Sequence, residues 1–509
     1  MFSELKFKVL QIEEKLENAS MNFDPALVEK LLKKAPSHLL ETISKKRANI
    51  VFEHAKNHVP AYQKFLKKNK FKVTTSWEKI PVMDKHNYIQ KYPLRSRCAG
   101  GILPKDGMIY ESSGSTGKPT IWIQNKTEED VLLSQVIFDF HYMFQSKPTI
   151  VLSTWVMGPW ITGAKFGELT SYASLAKNIG EDMENILDTL EEFGPEEHYL
   201  IAGYPPFIRQ LITYLREHIN LDKYKIDLAI GGEGISIKSL RYLEQLMPKG
   251  SLIVSGYGAS DLDIGVGFES TFCTYIRKLA ASNPEFCNEL FNQESVPMIF
   301  QYNPLLCHIE EGPPEKNSPP ELLFTLLNAD IAHPKIRYNL KDRGRKFSYA
   351  NVISILRKHD PKFKENFANY KHFREILPLP FFSVFGRSGN IITFGAANIY
   401  PNQIELCLFQ DKDAEKKINH FKLSRTSNKK MQDVLEVHIE LKKGSKCRSN
   451  FERVCRKNIL KYLGKFNADY LEISKGDPEL KNIKVKVYPY NHQLFESDKK
   501  KIKRTYLVN

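Results

Sequence analysis

Apolar positions recur at helical spacing through the first hundred residues, as in "LVEKLLKKAPSHLLETI", where apolar residues fall at heptad-like spacing among charged ones. The pattern predicts helices punctuated by prolines, with a further helix start in "TSWEKI". It then changes period. In "GMIYESSGSTGKPTIWIQN" two short runs of β-branched and aromatic residues flank a Gly/Ser-rich loop, which reads as a strand, loop, strand hairpin. Up to about residue 260 helical and strand patterns alternate, through "NILDTLEEF", "HYLIAGY", "PPFIRQLITYLREHI" and "IDLAIGGEGIS". That alternation predicts α/β layers with a largely parallel sheet. Residues 290–350 read as short strands joined by Pro and Asn turns, including "PMIFQYNP", "ELLFTLL" and "KIRYNLKDRGR". From about residue 391 strands ("VLEVHIELKK", "IKVKVYPY") accompany a helix over 450–463, the makings of a small α+β domain.

Composition narrows the class. The 509 residues suffice for two or more domains, and 42% hydrophobic with 26% charged residues is the balance of a chain that buries a large core unaided. The first twenty residues mix acids and bases among apolar positions, so no signal peptide is expected, and no apolar run approaches the eighteen or so residues of a membrane span. Seven widely spaced cysteines without a Cys-x-x-Cys pair suit free thiols in a reducing cytoplasm. The adjacent Cys307 and His308 lack the spacing of zinc ligands. The net charge of +15 is spread along the whole chain with no nucleic-acid recognition motif, so it reads as solvated helix faces with some help for anionic substrates. Steeply salt-dependent binding to DNA or RNA would reverse that reading.

The candidate chemistry begins at "YESSGSTGKPT", residues 110–120, whose glycines, hydroxyls and lysine are the materials of a phosphate site. It is not a P-loop: Ser112 stands where the first glycine should be, and Pro119 replaces the metal-binding hydroxyl. Nor does it spell the Rossmann Gly-x-Gly-x-x-Gly. On its own it could equally be a solvated turn. Four further stretches bear on the choice: "GGEGIS" after the strand "IDLAI", "SGYGASD" after "SLIV", "RYNLKDRGR", and "FGRSGNIITFGAANIYPNQIE".

In this order, these stretches resemble the core motifs of the adenylate-forming superfamily, and in detail the phenylacetate–CoA ligase family, over most of the chain from "VPAYQKF" to "KKKIKR". The resemblance implies a large N-terminal domain over residues 1–386 with mostly parallel sheets, a hinge at 387–390, and a small mobile α+β domain over 391–509. It implies a magnesium-dependent enzyme that joins a small-molecule carboxylic acid to AMP, releases pyrophosphate, and passes the acyl group to a thiol, by default coenzyme A. A carrier protein or an amine is the alternative acceptor, and a non-catalytic binding protein of the same fold is the alternative class. A monomer or dimer in the cytoplasm is expected.

Carried over by motif, Ser112, Ser113, Gly114, Ser115, Thr116, Gly117 and Lys118 would close over the β- and γ-phosphates of ATP. Gly232 and Glu233 would border the nucleotide, Tyr257 and Gly258 would face adenine, and Ser260 would meet the α-phosphate. Asp261 would hold Mg2+, and Asp342 with Arg387 would grip the ribose. Of the lysines near the C-terminus, aligning Lys503-Arg504 with the family's Lys-Arg pair points to Lys501 as catalytic, with Lys499 next. Gly395 would help form the thiol tunnel, and Trp155, Trp160, Tyr204 and Phe207 would line an acyl slot unless they are core aromatics. Three departures stand out: Asp261 replaces the usual Glu, Gly389 the usual hinge Asp, and "YNLKD" the family's Tyr-Arg-Thr-Gly-Asp.

Overall fold

The computed structural model describes residues 2–72, 76–112, 120–144, 147–293, 296–314, 319–387, 392–395, 397–428, 430–498 and 508. The N-terminal part is helical as its spacing predicts: α1 (Phe2–Phe23), α2 (Pro25–Lys34), α3 (Ser37–His58) and α4 (Pro60–Lys68). Proline sits at the first position of α2 and α4, where its missing N–H costs nothing. "TSWEKI" yields only a short turn over Trp77–Lys79, because Pro81 follows at once and its ring disfavours helical backbone at Ile80.

After the short strand β1 (Met83–Asp84), the hairpin β2 (Met108–Ser112) and β3 (Thr120–Gln124) pairs antiparallel in the predicted place. Then come α5 (Lys126–Met143), β4 (Ile150–Ser153), α6 (Ile161–Thr170), β5 (Leu175–Asn178), α7 (Met183–Phe193), β6 (His198–Gly203), α8 (Pro205–His218) and β7 (Lys225–Ile230). Next are α9 (Ile237–Leu246), β8 (Ile253–Ala259), β9 (Asp263–Glu269) and α10 (Thr271–Ser282), then β10 (Met298–Gln301), β11 (Cys307–Glu311), β12 (Glu321–Leu326), β13 (Tyr338–Phe347) and β14 (Phe381–Arg387).

One large sheet runs β11-β12-β13-β14-β10-β9-β8-β7-β6-β4-β5, with β1 beside β13. It is parallel from β5 to β8, the region where helix and strand patterns alternate in the sequence. From β8 to β11 it is antiparallel, the region of short strands and tight turns. The α/β class read from the sequence is therefore the observed one. The inner strands of the parallel half are near-continuous apolar runs, as covering on both faces requires: every residue of β4 and β6 is buried, whereas the edge strand β5 is mostly exposed.

Beyond β14 the chain leaves this sheet. It forms β15 (Ile392–Phe394) and β16 (Ala397–Ile399), and then a three-stranded sheet of β17 (Ile418–Ser427), β18 (Asp433–Leu441) and β19 (Ile483–Tyr488) covered by the helix Phe451–Phe466. All seven cysteines are free thiols, and among the described residues no helix is long and apolar enough to cross a membrane.

Candidate active site

In a parallel sheet the strand C-termini open onto loops, and ligands bind there. The ends of β6, β7 and β8 do so side by side, presenting Tyr204, the pair Gly231-Gly232, Ser255-Gly256 and residues 258–261 to one cavity of about 400 Å³. Gly232 has φ +79, a conformation other residues adopt only with strain, so the chain can turn back over the cavity at that point. The cavity has two characters. One group of lining residues, here the mouth, is polar, with Lys85, Ser112, Ser260, Asp261, Asn339 and Lys341; another is apolar, with Val136, Phe140, Met143, Phe166, Leu200 and Val254.

At the mouth, Ser112 Oγ accepts from Lys85 Nζ at 3.0 Å and from Trp122 Nε1 at 2.8 Å. Lys85 is presented by a helical turn whose capping box joins Asp84 and Asn87. Behind Trp122 lies the buried Lys335, its Nζ 5.1 Å from the ring and donating to the His333 carbonyl at 2.9 Å. Burial lowers the Lys335 pKa to about 8. Asp261 Oδ2 accepts from the buried Tyr338 hydroxyl at 2.5 Å, which fixes the carboxylate at the cavity edge. Among the described residues no group of three His, Cys, Asp or Glu side chains could enclose a metal by itself.

Tyr257 and Asp342 are brought together beside this cavity rather than on its wall. The Tyr257 hydroxyl donates to Asp342 Oδ2 at 2.5 Å, while its ring packs among Phe300, Phe324 and Phe382. Asp342 is also the direct cross-strand partner of Arg387. Gly258, Ser260, Gly232, Trp155, Trp160 and Tyr204 all line the cavity. Glu233 turns away from it, to Arg425 Nη2 at 3.2 Å, and Phe207 is wholly buried in the core. Residues 113–119, with Ser113, Gly114, Ser115, Thr116, Gly117 and Lys118, lie outside the described residues. So do Lys499, Lys501 and the Arg387 side chain.

The chain after residue 391 meets the large sheet at Tyr204. The Tyr204 hydroxyl donates to Asp477 Oδ2 at 3.0 Å, and Gln210 Nε2 donates to Asp477 Oδ1 at 2.7 Å. Arg209 pairs with Glu479, and Glu181 lies beside Tyr204 and Asp477. Gly395 has φ +51 and packs so closely that a Cβ there would stand 2.7 Å from Leu480 Cδ2.

Burial and then Asp477 push the Glu181 pKa up to about 8; burial, against the pull of Arg209, pushes Glu479 up to about 7. Raised carboxyl pKa values mean that the contact holds protons. Its contribution is therefore full below the ordinary carboxyl value of about 4.5 and is lost as pH rises through about 7 to 8. We expect the amides of Asp477 and Glu479 to exchange faster, after correction for intrinsic rates, as pH rises across this window, and Glu181→Gln to flatten the response. Exchange that ignores pH, or a response unchanged in Glu181→Gln, would refute the linkage.

Five cavity residues were given no role in sequence, although Ser255, Asn339 and Lys341 lie within the quoted stretches: Lys85, Asp139, Ser255, Asn339 and Lys341. Two had a readable signal. Asp84 and Asn87 spell a capping box that aims Lys85, and Asp139 is the lone acid in an otherwise apolar helical stripe.

No family model and no curated protein matches the chain. Among solved structures it is similar to a 2-hydroxyisobutyryl-CoA ligase in complex with 2-HIB-AMP and CoA in the thioesterification state, with a TM-score of 0.60 and 14% identity over 94% of this chain and 90% of that one. An open conformation of that ligase matches at a TM-score of 0.48 and 14% identity, over 72% of this chain and 79% of that one. The amide bond synthetase McbA from Marinactinospora thermotolerans matches at 0.43 and 12% identity, over 75% and 65%. The first likeness spans nearly the whole chain and shows the fold, which this chain shares with that ligase.

Proposed function

We propose that the protein is an ATP-dependent acid–thiol ligase of the phenylacetate–CoA ligase type, working through an acyl-adenylate. The observation that carries the reading is the joining of a polar mouth to an apolar channel in one cavity at the strand ends. The base of the hydroxyl-rich loop and the Asp261 carboxylate stand at that mouth. A carboxylate oxygen of the acid attacks the α-phosphorus, the bond from that phosphorus to the bridging oxygen breaks, and pyrophosphate leaves. A thiol sulfur then attacks the acyl carbon, and AMP departs with the oxygen.

In this reading residues 112–118 hold the terminal phosphates, with Lys85 adding charge at the base of the loop, and such charge assists departure of pyrophosphate. Asp261 supplies one hard oxygen, which with phosphate oxygens suits the ligand set of Mg2+. Asp342 and Arg387, paired across β13 and β14, hold the ribose. Residues 1–386 form the larger domain and residues 391–509 a mobile one, turning at 387–390. Coenzyme A is the proposed acceptor, in keeping with the ligase of like fold that holds CoA beside an acyl-AMP.

The test is acid-dependent exchange between ATP and pyrophosphate, with Mg2+ and no thiol, over straight-chain and aryl acids. Addition of coenzyme A, a phosphopantetheinyl carrier or an amine then follows. Exchange that depends on the acid, and thioester formation on adding coenzyme A, are expected. No exchange despite measurable ATP binding would favour a non-catalytic relative.

A further inference from the structure

One ionisable group of the cavity is given no task by acid activation. Val136, Asp139, Phe140, Met143 and Phe144 follow one another at i, i+3, i+4, i+7 and i+8 on α5, so they form one stripe, and all five line the cavity. Around Asp139 the wall is otherwise hydrocarbon: Leu200, Ala229 and Val254 from the sheet, Phe166 from α6 and Phe268 from β9. The hydrogen bonds of the polar mouth join Lys85, Ser112, Trp122, Asp261 and Tyr338, and Asp139 takes no part in them.

The Asp139 carboxyl accepts one hydrogen bond, from Gln135 Nε2 to Oδ1 at 2.6 Å, and no cation among the described residues pairs with it. Burial pushes its pKa up to about 7. Two further polar groups of residues lining the cavity are orphaned among the described residues: Ser255 Oγ, on a residue only 5% exposed, and Trp155 Nε1, on one only 8% exposed. An acid kept in a hydrocarbon wall with half its acceptor capacity unused is costly, and leucine would pack there at no such cost. A purely hydrocarbon substrate would make matters worse by excluding water from it.

We propose that Asp139 selects an acid whose chain carries a hydrogen-bond donor, a hydroxyl or an ammonium group, remote from the carboxylate that is activated. The inference rests on the reading that this cavity takes the acid. With such a substrate bound, the donor satisfies the free lone pairs of Asp139 while the hydrocarbon between the two ends packs on Phe140, Phe166 and Val254. Unsubstituted acids of the same length leave the carboxyl dry and unpaired.

The test compares hexanoic, octanoic and decanoic acids with their ω-hydroxy and ω-amino derivatives. Calorimetric binding and ATP–pyrophosphate exchange would be measured with the full-length protein and with Asp139→Leu and Asp139→Asn. In the unaltered protein one derivative should bind at least about tenfold more tightly than its parent acid. Asp139→Leu should erase or invert that preference, with thermal melting confirming that the variant is folded. Asp139→Asn should keep a preference for hydroxyl and lose one for ammonium. Equal binding of parents and derivatives, a preference unchanged in Asp139→Leu, or no binding by any acid overturns the inference. Selective binding without exchange supports it while removing the activation chemistry, so the two readings fail separately.

Discussion

Replacing Arg277 by alanine is expected to cost about 3–5 kcal/mol of folding stability, the penalty for breaking a buried ion pair from one side. Arg277 is fully buried and Glu269 is 2% exposed, and the two meet with Nη1 to Oε1 at 2.6 Å. The same guanidinium donates through Nε to the Pro297 carbonyl at 3.1 Å and through Nη2 to the Ile235 carbonyl. One side chain on α10 thus ties together the end of β9, the entry to β10 and the loop that follows Gly231-Gly232. Alanine would leave a carboxylate without a countercharge and two carbonyls without donors. Equilibrium urea unfolding measures the loss, and a change below about 1 kcal/mol would show that water reaches Glu269. The double variant Arg277→Met with Glu269→Leu should recover most of the stability, because no charge is then stranded. The loop over residues 231–236 borders the cavity, so the single variant should also lose exchange activity at temperatures where it is still folded.

The contrast between Arg277 and the loop over residues 113–119 shows what was legible in the sequence. The hairpin, the alternating region and the strand-end glycines could be read because they depend on local pattern: period 2, period 3.6 and left-handed turns. Long-range partners could not. Nothing near Arg277 in the chain announces Glu269 or Ile235, and nothing near Tyr204 announces Asp477, 273 positions away. Tyr204 and Phe207 illustrate the limit for the aromatics. Both lie at the start of α8, three residues apart, yet Tyr204 lines the cavity and Phe207 is buried in the core, because only tertiary packing decides which face meets the void. Glu233, adjacent to a cavity glycine, turns to Arg425 for the same reason: an arginine from β17 arrives on that side. Asp139 reads in sequence as one acid in a helix, since its meaning depends on hydrocarbon supplied by four strands and a second helix.

On the proposal that Lys501 is the catalytic lysine, replacing it by alanine should lower acyl-adenylate formation by about 10²–10³-fold, the usual size of the loss when a charge that stabilises a developing oxyanion is removed. Thioester formation from a supplied acyl-adenylate should stay within about twofold of the unaltered enzyme, because the proposed roles of the C-terminal segment belong to two different poses. The pose described here sets Gly395 against Leu480, near the Asp477 that receives the Tyr204 hydroxyl, and the proposed thiol step is assigned to this pose. Gly395→Ala should therefore show the opposite pattern. Its Cβ would press on Leu480 at 2.7 Å and its φ of +51 is strained for alanine, so the thioester step should fall while exchange between ATP and pyrophosphate is preserved. Measured side by side, the two variants dissociate the half-reactions in opposite directions if the segment alternates between poses. Equal losses in both half-reactions for Lys501→Ala would shift the catalytic role to Lys499. Equal losses for Gly395→Ala would mean that the contact with Leu480 holds the fold together rather than one pose of it.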